Sequence, residues 1–177
     1  MKALTLLGVV MGALMLAAAG VHEEAPDAFV DPAVDQGDSV QDSMQDDEAA
    51  VVAAVERLFE SMRTNDGEMA RSVFHPDARL GRATEDGISF SPADGFIERI
   101  GTPKDQVWDE PIWDWNVDVD GRLAQMWTKY AFYLDDAFSH CGVDAIQLYR
   151  SESGWQITQL VDTNRQEDCW YPPGRTP

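Results

Sequence analysis

Apolar side chains recur along this chain with two periods, one helical and one alternating, and the change falls near residue 112. In the first stretch Val52, Val55, Leu58, Phe59 and Met62 recur at the spacing of one buried helical face, and Asp46 or Asp47 can cap the helix. Thr64-Asn65-Asp66-Gly67 ends it. A second short helix, Glu68 to Phe74, is closed by His75-Pro76, because proline disfavours helical geometry in the residue before it. Arg79 to Ala83 and Ile88 to Phe90 flank Thr84-Glu85-Asp86-Gly87 and predict a hairpin. Ser91-Pro92-Ala93-Asp94 reads as a helix start, with Ser91 as cap, Pro92 in the first turn and Asp94 near the exposed amides. Phe96, Ile97 and Ile100 form that helix's apolar side.

Beyond it the pattern is that of a sheet. Trp113, Trp115, Val117 and Val119 alternate with Asp114, Asn116 and Asp118, and Asp120-Gly121 is a dipeptide favoured in two-residue hairpin turns. Leu123 to Leu134, Ser139 to Arg150 and Trp155 to Arg165 supply further strands, separated by Asp135-Asp136-Ala137-Phe138 and Ser151-Glu152-Ser153-Gly154. The predicted order is α-α-β-β-α-β-β-β-β, an α+β domain over residues 46–171 with a flexible tail at 172–177.

The opening residues change the picture of compartment. Lys2, the apolar run Ala3 to Leu16 and the small residues Ala17-Ala18-Ala19 have the layout of a cleaved signal peptide over residues 1–19. The competing reading is a retained anchor, but Thr5, Gly8 and Gly12 interrupt the run and it barely reaches the roughly 20 apolar residues a spanning helix needs. The expected destination is secreted or periplasmic, with no stable membrane insertion. Ten acidic residues and no Lys or Arg lie between Glu23 and Glu48, so residues 20–45 read as an acidic disordered leader. From Ala49 onward 22 acidic residues face 12 Lys and Arg, within a chain of net charge −19. Such acidity argues against nucleic acid or an anionic membrane as partner, since both recruit basic patches.

The element order, the stretch Phe74-His75-Pro76-Asp77-Ala78 and the strand opening Gly154-Trp155-Gln156-Ile157 resemble the NTF2-like superfamily of the SnoaL-like and DUF4440-like kind. His140-Cys141-Gly142-Val143-Asp144-Ala145, with the later Asp162-Thr163-Asn164-Arg165, is similar to bacterial nuclear transport factor 2 family proteins. The resemblance implies a curved antiparallel sheet wrapped around helices into a cone with a pocket inside. It implies little chemistry, because one fold hosts many functions. It also implies a homodimer through the outer sheet face, where Trp127, Tyr133 and Ile146 are expected.

Pairing the strands about their turns sorts side chains onto two faces. Trp113, Trp115, Met126, Thr128, Tyr130, Phe132, Cys141, Val143, Ala145, Thr158, Leu160 and Asp162 share the more apolar face, which is expected to be concave. Trp127, Lys129, Tyr133, His140, Asp144, Ile146, Ile157, Val161 and Arg165 share the other, and a single bulge would reverse part of this assignment. Trp113, Trp115, Thr128 and Phe132 from one face and His140, Asp144 and Arg165 from the other are the ligand-binding candidates. Asp162 with Tyr130 is the candidate catalytic group, a carboxylate against apolar rings whose raised pKa suits proton abstraction. The plainer account of Asp162 is a carboxylate paired with Arg165 or backbone amides. His75 is either a loop histidine packed on a helix end or an acid or base at the pocket mouth.

Other chemistry is weakly supported. Asn116-Val117-Asp118-Val119-Asp120-Gly121 imitates a calcium loop, but its twelfth position is Trp127 where a glutamate is needed. Three scattered histidines give no metal-ligand spacing, and no cofactor is implied. A non-catalytic exported module holding a small hydrophobic or aromatic molecule, or a partner chain, is favoured over an isomerase, dehydratase or cyclase. Cys141 and Cys169, the chain's two cysteines, are expected to form a disulfide after export, with Cys141 opposite Asn164 and the tail folded over one end of the cone.

Overall fold

The computed structural model describes residues 36–175, with side chains from residue 44. The expected signal peptide and the leader up to residue 35 lie outside the described residues, as do residues 176–177.

Helix α1 (Gln36–Thr64) begins ten residues before the expected caps Asp46 and Asp47. No proline falls between Gln36 and Gln45, so nothing in the sequence stops the helix there, and Asp47 instead lies inside it, paired with Arg150. Val51, Val55, Leu58, Phe59 and Met62 form its buried face. Asn65, at φ 56°, turns the chain, and Asp66 caps α2 (Gly67–Val73) by accepting a hydrogen bond from the Met69 amide at 2.8 Å. The predicted hairpin is β1 (Phe74–Thr84) with β2 (Gly87–Pro92). Helix α3 (Asp94–Gly101) follows, later than Ser91-Pro92 suggested: both of those residues extend β2, Ala93 is the cap residue, and Asp94 lies in the first turn beside Arg71.

The remaining strands are β3 (Trp108–Asp109), β4 (Ile112–Asp120), β5 (Leu123–Leu134), β6 (Ala137–Ser151) and β7 (Gly154–Thr163). They join the hairpin in one open seven-stranded sheet of order β2-β1-β7-β6-β5-β3, with β4 also paired to β5. The α+β cone is as expected, with two differences. The sheet is mixed, because β1 returns beside β7 in parallel while every other pairing is antiparallel. The outer edge strand is broken into β3 and β4 at Glu110-Pro111, where proline has no N–H for the ladder.

Three irregularities in register decide which side chains face the helices. The β5–β6 turn has two residues, Asp135-Asp136, rather than the expected four, and a bulge follows between Phe132 and Tyr133. Phe132 therefore opposes His140 and Thr128 opposes Asp144, so the expected assignment of β6 is inverted: His140, Asp144 and Ile146 face inward, and Cys141, Val143 and Ala145 outward. A bulge between Gln147 and Leu148 turns both Ile157 and Leu160 of β7 toward the core. A third, at Asp114 with φ 55°, swings Trp113 to the outer face. The core then lies between the concave face, through Met126, Ile146, Leu148, Trp155 and Ile157, and the three helices.

Candidate functional site

Where α1, the β1–β2 hairpin and the strands β5 to β7 diverge, the core leaves a partly open cavity of about 500 Å³. Its walls are apolar: Leu58, Phe59 and Met62 from α1, Leu80 from β1, Phe90 from β2, Phe96 from α3 and Leu160 from β7. Arg99, also in the lining, lies over the Phe96 ring at 5.7 Å, and Arg79, outside the lining, lies over the Phe90 ring at 5.1 Å.

The polar groups converge along one row of the sheet. Arg82 on β1 is level with Asp162 on β7, Asp162 with Asp144 on β6, and Asp144 with Thr128 on β5. The Arg82 guanidinium grips Asp162 with both carboxylate oxygens 3.0 Å from Nε and Oδ2 2.5 Å from Nη2, and this hydrogen bonding raises the Arg82 pKa. The Tyr130 hydroxyl donates to the Thr163 carbonyl at 2.7 Å and lies 3.5 Å from Asp162 Oδ2. To do so its ring crosses β6 over Gly142, where a Cβ would stand 2.7 Å from the ring and closer still to the Thr163 carbonyl oxygen. Burial, then the charges of Glu110 and Asp162, push the Tyr130 phenol well above its ordinary pKa.

Two carboxyls in the cavity lack the cation that Asp162 has. Asp144 is 1% exposed, and its Oδ2 has no hydrogen-bond partner among the described residues. Burial first, and then the charges of Glu110 and Asp162, raise its pKa well above the usual carboxylate range. Glu110, half-buried at the break between β3 and β4, lines the cavity and also a groove along α1 beside Arg57 and Arg63; burial followed by the Asp162 charge pushes its pKa up to about 8. His140 completes the lining, with its ring centroid 5.0 Å from Phe132 and 5.8 Å from Tyr130. Burial, then Arg82, lowers its pKa and favours the neutral imidazole.

Asp162, Tyr130, His140 and Asp144, expected on opposite faces, thus line one cavity. Thr128 is buried behind them, its hydroxyl turned to the carbonyls of Trp113 and Lys129, and Phe132 supports His140 from the side. The other candidates stand elsewhere. Trp113 packs with Tyr133, Cys141 and Cys169 on the outer face, because the bulge at Asp114 turns it away. Trp115 is 45% exposed beside Glu48 and Val52. Arg165 pairs its backbone with Cys141 and stacks its guanidinium on Trp170 at 4.3 Å rather than meeting Asp162. His75 sits next to Tyr149, accepting the Asp77 amide hydrogen bond at its Nδ1, away from the cavity. Arg82 and Glu110 were not anticipated. Alternation along β1 puts Arg82 in line with apolar Leu80, a signal the sequence carries; Glu110 lies in an unpatterned loop and gives none.

Cys141 and Cys169 are disulfide-bonded with Cα atoms 5.8 Å apart, and Cys141 opposes Arg165 rather than Asn164 because of the β6–β7 bulge. The tail they fix lies on the outer face, with Tyr171 against Phe138 and Arg175 over Tyr133 and paired with Asp109 at 2.7 Å. Tyr133 is buried there and Ile146 lies in the core, so neither is available for the dimer contact expected of them. No group of side chains suited to a metal ion occurs among the described residues, and no helix among them is long and apolar enough to cross a membrane.

Comparison with known proteins places this geometry. The family described as putative lumazine-binding matches residues 46–161. The chain is similar to an NTF2-like protein with a cystatin-like fold from Novosphingobium aromaticivorans, with TM-score 0.62 and 10% identity over 80% of this chain and 94% of that one. It is also similar to a protein of unknown function from Mycobacterium tuberculosis (TM-score 0.57, 16% identity, 68% and 77% of the two chains). A third, an NTF2-like protein from Cytophaga hutchinsonii, has TM-score 0.56 and 11% identity over 66% and 97%. Identities this low speak for the fold alone. No curated protein matches the sequence.

Proposed function

This chain belongs to the putative lumazine-binding family, within the NTF2-like superfamily, and from that premise we propose that it is an exported protein that binds a small hydrophobic or aromatic molecule in the cavity of its cone. The observation that carries the reading is the cavity itself: about 500 Å³, within the usual range for a small-molecule site, walled by Phe59, Phe90 and Phe96 and floored by a few convergent polar groups. Export is supported by the leader sequence and by the Cys141–Cys169 disulfide, which suits an oxidising compartment. Native mass spectrometry of protein purified from its own host is expected to find a retained small molecule, lost when Leu80→Trp fills the cavity. Protein that carries nothing, and whose melting temperature no panel of aromatic compounds raises, would remove the proposal.

A second reading, an isomerase, dehydratase or cyclase with a pocket carboxylate as base, draws support from Glu110, whose pKa of about 8 suits proton abstraction near neutral pH. Asp162, the expected base, is committed to Arg82 on both oxygens, so Glu110 with Tyr130 nearby is the better candidate pair. The check is deuterium wash-in next to the carbonyl of a bound ketone, lost in Glu110→Gln; no wash-in with the native protein leaves only binding.

A homodimer also belongs to this proposal. Leu123, Trp127 and Tyr149 are exposed on the outer face toward one end of β5 and β6, and an apolar patch of that kind suits a second copy.

A further inference from the structure

The reading of the cavity as a small-molecule site leaves open what kind of molecule it takes, and the polar floor restricts that choice. Asp144 and Asp162 are directly opposed on neighbouring antiparallel strands, a placement that sets like-charged side chains about 5 Å apart and is destabilising unless something separates or neutralises them. Arg82 is the cation present in the row, and Asp162 holds it through both oxygens. Asp144 is left with an oxygen that is fully enclosed and unpartnered among the described residues, and the half-buried Glu110 lines the same cavity without an ion-pair partner among them. Among the described residues no cation forms an ion pair with either carboxyl. On the cavity side β7 brings Asp162, β5 Tyr130, β6 neutral His140 and α1 the apolar Leu58, Phe59 and Met62, while Arg99 of α3 lies over Phe96. Arg57 and Arg63 of α1 share a second groove with Glu110, but Arg57 bonds Ser72 and Arg63 pairs with Glu60 and Asp109.

A buried acceptor without a donor is costly, and a carboxylate without a counter-charge more so. Without a ligand the two carboxyls avoid that cost by holding their protons, in keeping with their raised pKa values; a nitrogen cation arriving with a ligand would supply both the missing donor and the counter-charge. The rest of that ligand must match a wall of three phenylalanines, two leucines on the sheet and a methionine, which accept a flat apolar body and favour a positive charge close to their ring faces. The whole domain leans the same way, with 22 acidic residues against 12 Lys and Arg from Ala49 onward, so its field draws cations toward the mouth.

We propose that the cavity is selective for aromatic cations, a protonated amine or amidinium on a flat ring system, with Asp144 and Glu110 as partners of the charged nitrogen and Phe59, Phe90 and Phe96 as the seat of the ring. The proposal rests on the small-molecule reading above, and three probes of equal ring size separate the two. These are 1-naphthylmethylamine, 1-naphthylmethanol and 1-naphthoate, titrated calorimetrically into the full chain at neutral pH and moderate salt.

The amine is expected to bind about tenfold or more tighter than the alcohol, the scale of one charge-assisted hydrogen bond, and the acid weakest of all. Asp144→Asn keeps the shape of the site and removes the carboxyl that ionises against the amine; it is expected to bring the amine-to-alcohol affinity ratio close to one. Glu110→Gln, at the cavity's other side, is expected to narrow the amine-to-alcohol ratio in the same direction, and stands in if the first variant fails to fold. A structural effect of either substitution would weaken all three probes together. Equal or tighter binding of the alcohol, or a ratio that survives both substitutions, overturns the cation proposal and leaves the cavity a neutral aromatic site. Binding by none of the three overturns the small-molecule reading as well.

Discussion

Gly142 and Glu110 are small features on which the cavity depends. A methyl group on Gly142 would meet the Tyr130 ring at 2.7 Å and press on the Thr163 carbonyl, which is part of the backbone and cannot swing away. Gly142→Ala is expected to destabilise the domain by roughly 2–3 kcal/mol, as overpacking of a tight site does, and to break the Tyr130 to Thr163 hydrogen bond. Chemical denaturation measures the first, and a shift in the tyrosine near-ultraviolet signal the second. Glu110 supplies a pH dependence. Its ordinary pKa of 4.5 rises to about 8 on folding, so between those values the folded chain holds a proton that the unfolded chain has released. The stability tied to this proton is fully present below the ordinary value and is lost as pH rises to about 8, by up to about 1.4 kcal/mol per pH unit for one site. Glu110→Gln is expected to match the native protein near pH 4.5, exceed it in melting temperature near pH 8.5, and flatten the decline between. Asp144 has a shift of the same sign, so some slope remains in the variant. His140, whose pKa is lowered, acts the other way at acid pH in both proteins and cancels in the comparison.

Among the elements, the carboxyl-terminal tail is the most dependent on one covalent link. After β7 the chain leaves the sheet, and the disulfide returns it to the outer face across a sequence separation of 28. Closing a loop of that size contributes roughly 3–4 kcal/mol by the chain-entropy estimate. Cys169→Ser is expected to lower stability by about that amount and to free Tyr171 and Arg175 from Phe138 and Asp109. Because the tail covers the outer face, ligand affinity in the concave cavity should hold. Calorimetry of the variant, with amide exchange across residues 166–175, checks both parts. The helices and strands were legible from periodicity: the face of α1, both hairpin segments after α2, and the four long strands all stand near their expected positions. What escaped were β3 and the amino-terminal start of α1. A two-residue edge strand has no period to detect, and Gln36–Gln45 is too polar to show a helical face.

At the scale of the whole molecule, charge and association are what can be tested. A domain with ten more acidic than basic residues from Ala49 onward repels itself, and salt shortens the reach of that repulsion from about 30 Å at 0.01 M to about 3 Å at 1 M. Raising sodium chloride across that range is expected to increase the melting temperature by roughly 2–4 °C, corresponding to about 1 kcal/mol. A fall would mean that surface ion pairs outweigh the net charge. The proposed homodimer is expected as twice the monomer mass in light scattering at micromolar concentration, and Trp127→Glu, which puts a charge at a position 57% exposed, should return the monomer mass without lowering stability. A monomer from the native chain removes the dimer.

The sequence by itself determined the class of elements, their order, the family and the cysteine pair, because periodicity, turn residues and composition act over a few neighbouring positions. It did not determine the site. Asp162 and Tyr130 were legible as inward residues of their strands, whereas His140 and Asp144 were assigned to the wrong face and Trp113 to the cavity, each by a single-residue change of register. Side chains alternate with period two, so one bulge reverses a whole strand, and bulges form where a sheet must curve around helices. That curvature is a property of the assembled sheet. The meeting of Arg82, Glu110, Asp144 and Asp162 in one cavity was therefore decided by tertiary structure, through a parallel return of β1 beside β7 and an edge strand broken at Pro111.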